Sequence, residues 1–369
     1  MMRDLNLTIF NRSALSVKAK KSRRYFGRNW RNYLAILFIL IMLTVTCSSC
    51  SFSSGKNTAP PPASDDPGKF GSYRFLNTVS CAPSPFMCVA GDDAGGIMIY
   101  KNGQWSSPVS VKNLNNDLID SISCYSSSLC VGVGGSETPG GYGYAFELIN
   151  GKLTPLKYVS KYGLDSISCF SQSQCMAIAS GGLILLYDHG SWRSTGVVHT
   201  RFGLRTISCP TRNFCGAISQ ERFDIMRSNG QWIIVGNHTS LQNDHYLEGI
   251  SCPVVGYCMV NDSNGKVFKY YDGTLKVSGN VPLPAPIYVH PISCWSIGNC
   301  EAITVSGYVI ALRSGVWSKP VMMDPNNGPD AVSCVSGGTC MAVDQTGHAF
   351  LLSHGKWSKG QLIEADPYG

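Results

Sequence analysis

The sequence predicts an all-β fold, a seven-bladed β-propeller of four-stranded antiparallel blades with one intra-blade disulfide each. Two recurrences and one absence predict it. The string Ile/Val-Ser-Cys occurs seven times, ending at Cys81, Cys124, Cys169, Cys209, Cys252, Cys294 and Cys334, at steps of 40 to 45 residues. A polar residue followed by Gly recurs further along every repeat: Asn102-Gly103, Asn150-Gly151, His189-Gly190, Asn229-Gly230, Asp272-Gly273, Ser314-Gly315 and His354-Gly355. No helical period appears after residue 50, which excludes an α-solenoid.

Each element of the repeat has its own signal. The first strand ends at Ser-Cys. The second begins at another cysteine, Cys88 after a gap of six residues, then Cys130, Cys175, Cys215, Cys258, Cys300 and Cys340 after gaps of five, and runs through a small residue such as Ala177 or Ala342. The third is an apolar run such as Leu183-Ile-Leu-Leu-Tyr187. The polar-Gly turn then needs positive φ at both positions, as a tight hairpin does. The fourth strand opens with Trp in five repeats and Leu in two, and these residues are read as filling space between blades. Serine stands before the first cysteine in all seven repeats, as the crowded innermost strand requires of a small side chain. The glycine-rich stretch 132–143 reads as a long flexible loop, or alternatively a binding loop, between the second and third strands of repeat two.

Fourteen of the sixteen cysteines fall in these repeats, an even and regular set that reads as a disulfide framework. The expected pairs are Cys81 with Cys88, Cys124 with Cys130, Cys169 with Cys175, Cys209 with Cys215, Cys252 with Cys258, Cys294 with Cys300, and Cys334 with Cys340, with flanking Cα atoms near the ~5.5 Å usual for a bridge. Seven half-sites of this spacing would leave zinc undercoordinated, so no metal is expected. No cofactor is expected either.

The charge is segregated. The formal net charge is +7, but residues 1 to 31 alone carry +8, so the rest of the chain sums to about −1. A neutral domain offers nothing to the phosphate backbone, and nucleic acid is not an expected partner. The basic stretch, residues 1–32, leads into an apolar segment, 33–50, whose unbroken run over 34–43 is too short for a comfortable span. The cysteines Cys47 and Cys50 that follow resemble the lipobox of bacterial lipoproteins. Lipid anchoring, an uncleaved signal anchor and cleaved secretion all remain open, and all three put the rest of the chain on the extracytoplasmic face. Residues 51–71, rich in Ser and Pro, read as a flexible tether, and 72–369 as the propeller.

The repeat Ile-Ser-Cys-x5-Cys-x-Ala-Val/Ile with its Asn-Gly-x-Trp turn resembles a group of bacterial secreted and lipoprotein propellers with paired-cysteine repeats. More distantly it is similar to sialidase-like propellers with Asp-box hairpins. The Asp of that box stands in one repeat alone, at Asp188, and the arginines that sialidase chemistry would need around the axis bunch in repeats three and four. No Gly-x-Ser-x-Gly elbow, His-Glu-x-x-His or phosphate loop occurs, and no catalytic residue is assigned.

A candidate site comes from one register. Four residues before the first cysteine stand Asn77, Asp120, Asp165, Arg205, Glu248, His290 and Asp330, all polar. Two residues before it the register is wholly aliphatic, from Val79 to Val332. With the first strand innermost, the polar register forms a ring at the mouth of the central channel. It serves either to cap the turns entering each strand or to bind a cation, a basic group or a polyol. The expected function is an anchored surface propeller that binds a protein or glycan of the envelope or host without catalysis. The alternatives are a propeller hydrolase or lyase acting on glycans, and an envelope assembly factor.

Overall fold

A computed structural model describes residues 75–111, 118–135, 142–199, 203–219, 223–228, 231–237, 246–285 and 287–364, with only the backbone at 223–228 and 236–237. They form an all-β propeller; no helix occurs among the described residues. The strands make seven antiparallel sheets in chain order, each a meander from its own repeat. In the first, Leu76–Pro83, Phe86–Asp92, Gly96–Lys101 and Gln104–Trp105 lie side by side. The first strands of the other sheets are Leu118–Ser126, Leu164–Cys169, Leu204–Thr211, Leu247–Val254, Ser293–Ser296 and Pro329–Val335. Each touches its counterpart in the next sheet, and the last touches the first, which closes a circle.

Two sequence expectations are corrected. Sheets one, two, six and seven have five strands, because their outer strand breaks into two short pieces. The cause is a hydroxyl. In these sheets Trp105, Leu153, Trp317 and Trp357 are followed by Ser106, Thr154, Ser318 and Ser358, whose Oγ accepts the N–H of Ile99, Glu147, Ala311 and Leu351 at 2.9–3.0 Å. The side chain stands in for the ladder carbonyl and the outer strand detaches. In sheets three to five, Arg193, Ile233 and Lys276 occupy that place and the outer strand runs unbroken for seven residues.

The second correction concerns the stretch 132–143. Gly132 to Gly135 lie inside the strand Leu129–Gly135 and Gly143 opens the strand Gly143–Ile149, while 136–141 lie outside the described residues. These glycines serve close approach. A Cβ on Gly132 would stand 2.0 Å from the Phe146 ring, and one on Gly135 would stand 2.3 Å from the Gly163 Cα.

The predicted turns are as expected: six of the polar-Gly pairs have positive φ at both residues, and the seventh, Asn229-Gly230, lies outside the described residues. The core is divided among seams. Each hydrophobic cluster joins adjacent sheets, as where Met98 and Ala90 of the first meet Met341 and Val343 of the last. Trp105, Trp192, Trp232 and Trp317 pack half-buried against such clusters. At the seam of sheets six and seven, Arg313 pairs with buried Glu301 and lies 4.7 Å over the Trp295 ring, on which Gly338 rests.

Candidate functional site at the channel mouth

All seven predicted disulfides form, with Cα atoms 3.9–4.1 Å apart, closer than the spacing the sequence suggested. Such a separation belongs to a cross-strand pair whose N–H and C=O groups point away from each other. The first cysteine of each pair therefore turns its N–H out of its own sheet, where it needs an acceptor. The serine of the preceding repeat supplies it. Cys124, Cys169, Cys209, Cys252, Cys294 and Cys334 donate to Ser80, Ser123, Ser168, Ser208, Ser251 and Ser293 at 2.8–2.9 Å. Cys81 donates to Ser333 at 3.0 Å and completes the circuit. A second tier exists in the first three repeats, where a hydroxyl residue stands two places earlier: Ile122, Ile167 and Ile207 donate to Thr78, Ser121 and Ser166. Later repeats carry Gly249, Pro291 and Ala331 there, and Asn261, directly opposite Gly249, bonds instead to the carbonyl of His290 at 3.2 Å.

The polar register sits one step above this circuit. In six sheets the pairing of first and second strands skips one residue, and the skipped residue is Asn77, Asp120, Asp165, Arg205, Glu248 or Asp330. In the sixth sheet Val289 pairs with Thr304 and Ser293 with Glu301, so four steps oppose three around His290 and Pro291. A β-bulge re-aims the residue it frees, and here it frees the same register in six repeats and falls beside it in the other. The sequence held an unread trace of it. Buried apolar residues such as Leu76 and Val79, or Leu164 and Ile167, stand three apart, a spacing that the two-residue period of a strand cannot place on one face without an extra residue.

The ring residues of successive sheets come within electrostatic reach. Arg205 lies 3.6 Å from Glu248, and His290 lies 3.7 Å from Asp330. Burial raises the pKa of Asp165 from 3.8 to about 6, against the opposing pull of a Ser180 hydroxyl at 3.3 Å and of Arg205. Asp120 is exposed; the other six ring residues are part-buried. Among the described residues no three His, Cys, Asp or Glu side chains gather as a metal would require.

A second set of carboxylates escaped the sequence reading. Asp92, Asp262 and Asp344 lie directly opposite Leu76, Leu247 and Pro329, next to the ring, and are fully buried. Each Oδ1 accepts the N–H groups two and four residues on, as Asp344 does from Thr346 and His348 at 2.9 Å. They brace the turns between second and third strands that form the lip of the mouth. The Asp-x-x-Gly spacing shared by three repeats was the available signal. Cys47 and Cys50 lie outside the described residues.

No known family pattern and no curated protein matches the chain. Solved structures do resemble it. The WD40 β-propeller domain of Doa1 is 14% identical with a TM-score of 0.61, covering 77% of this chain and 94% of that one. YCF48 from Cyanidioschyzon merolae is 10% identical with a TM-score of 0.57, covering 75% and 95%. A catalytically inactive variant of virginiamycin B lyase from Staphylococcus aureus, solved with quinupristin, is 11% identical with a TM-score of 0.60, covering 75% and 94%. At such identities the likeness is one of fold, and the chain is a β-propeller with a disulfide in each repeat.

Proposed function

We propose that the protein is an exported, membrane-anchored propeller of seven blades, one per repeat, that binds a protein or glycan at the channel mouth without catalysis. The observation that carries the reading is the bulge. Six repeats interrupt their inner ladder at the position that bears the polar ring residue, and the sixth in chain order does so next to it, which is costly for pairing and useful for presenting a side chain. Replacing Asp120, Asp165 and Asp330 together by Asn tests it. The full chain should keep its far-UV circular dichroism and lose a partner captured from envelope or host extracts. Unchanged affinity would assign the ring to structure alone. A second reading, a lyase or hydrolase, is favoured by the His290–Asp330 contact, a base with an orienting carboxylate, and turnover lost in His290→Ala would support it. Anchoring rests on Cys47 and Cys50. Intact mass of the detergent-extracted protein should show an acylated cysteine at the mature N-terminus, Cys47 in preference to Cys50, and a chain that keeps residues 1 to 46 would show a signal anchor instead.

A further inference from the structure

We infer that the ligand of the mouth, taken as the binding site proposed above, is a neutral glycan end rather than a cationic peptide. Part of the ring's charge is paired within it. Of its four carboxylates, Glu248 faces Arg205 and Asp330 faces His290, while Asp165 is coupled to Arg205 from the other side and holds a proton to about pH 6. At neutral pH the ring still carries more carboxylates than cations, so charge alone does not select the ligand; the mixture of donors and acceptors and the rim aromatics do.

What the mouth offers instead is a mixture. Asn77, Arg205 and His290 bring donors, the carboxylates bring acceptors, and the Oδ1 of Asn77 is buried with no hydrogen-bond partner among the described residues. Three residues further down each strand, about 10 Å into the channel, lies the serine circuit. Each serine Oγ accepts a cysteine N–H and keeps a hydroxyl proton of its own to donate. Sugar hydroxyls donate and accept in equal measure and need both kinds of partner at both depths.

The rim adds flat apolar faces. Phe75, Tyr246 and Tyr288 stand two residues before Asn77, Glu248 and His290, and Tyr162 stands three before Asp165. They are 39%, 47%, 50% and 42% exposed on four sheets, and the Tyr162 ring already carries Lys161 Nζ at 5.2 Å. Pyranose rings present C–H faces that stack on such side chains, while their edges reach the polar ring. An aromatic body with a polar tip suits an interface wet at one end.

The test uses the full chain in detergent and titration calorimetry with chitotetraose, cellotetraose, maltotetraose and tetralysine. A neutral tetrasaccharide should bind, with affinity nearly constant between low and high salt, and Tyr246→Ala with Tyr288→Ala should weaken it by at least about tenfold. If tetralysine binds with steep salt dependence and the sugars do not, the glycan assignment falls and the mouth stands. Failure of all three sugars, while the Asp120/Asp165/Asp330→Asn variant still loses its extract partner, has the same meaning. Sugar binding untouched by either the tyrosine or the aspartate replacements would place the site elsewhere and overturn both readings.

Discussion

Asp165 shows how far one position can depart from its ordinary chemistry. Burial works against its ionised form more strongly than Ser180 and Arg205 support it, so its pKa rises from 3.8 to about 6. The folded chain then holds a proton that the unfolded chain releases between those values, and this group's contribution to stability is present below about pH 4 and lost as pH rises through 6. Asp165→Asn mimics the protonated form. Its melting temperature should exceed that of the wild type at pH 7 and converge with it near pH 4; a constant offset across that range would assign the shift no role. The polarity of this register was legible in the sequence, but its displacement from the ladder was not, since a bulge shows only as an odd spacing of buried neighbours such as Leu164 and Ile167.

At the scale of the element, hairpins are the most readable feature, because a polar-Gly pair has few ways to satisfy two positive φ values. The strand Leu129–Gly135 is the least readable. Its glycines look like a loosened loop, yet each leaves space that a neighbour fills, and composition alone cannot distinguish space needed for motion from space needed for contact. Gly132→Ala distinguishes them. Set against the Phe146 ring, the added methyl should destabilise the chain by about 1–3 kcal/mol through overpacking, read as a lower denaturant midpoint with unchanged slope. A neutral result would return the stretch to a loop. The broken outer strands follow the same logic. Trp-Ser and Leu-Thr announce them, but only once the hydroxyl is seen to replace a carbonyl.

On the scale of the whole molecule, the repeat count and the bridges were open to reading because they are local in sequence. The seams were not, because Ser80 and Cys124 meet across 44 residues and Ser333 and Cys81 across 252. The last seam is also distinct in kind. Every other pair of neighbouring sheets is joined by chain, whereas the first and last exchange no strand and are held by side chains, the Cys81–Ser333 bond and the cluster around Leu76 and Val343. Ser333→Ala leaves the Cys81 N–H unanswered and should cost about 1 kcal/mol. Hydrogen exchange should speed up in the first and seventh sheets together, more than Ser208→Ala does at a seam within the chain. Equal effects would mean that covalent continuity contributes nothing to holding neighbours in register.

The serine circuit has a sense of rotation. Every cysteine N–H gives to the repeat before it, so seven bond dipoles follow one another head to tail around the axis and their sum in the plane of the ring vanishes. Closure is thus electrically silent toward the opening above it. The potential at the mouth is set by the seven ring residues and the buried Asp92, Asp262 and Asp344 beside them, and the ring residues add to the closure the Arg205–Glu248 and His290–Asp330 contacts. Scaffold and reading head are separable: a repeat can change what it says to a ligand at one position while the handshake with its neighbours, four residues on, goes undisturbed.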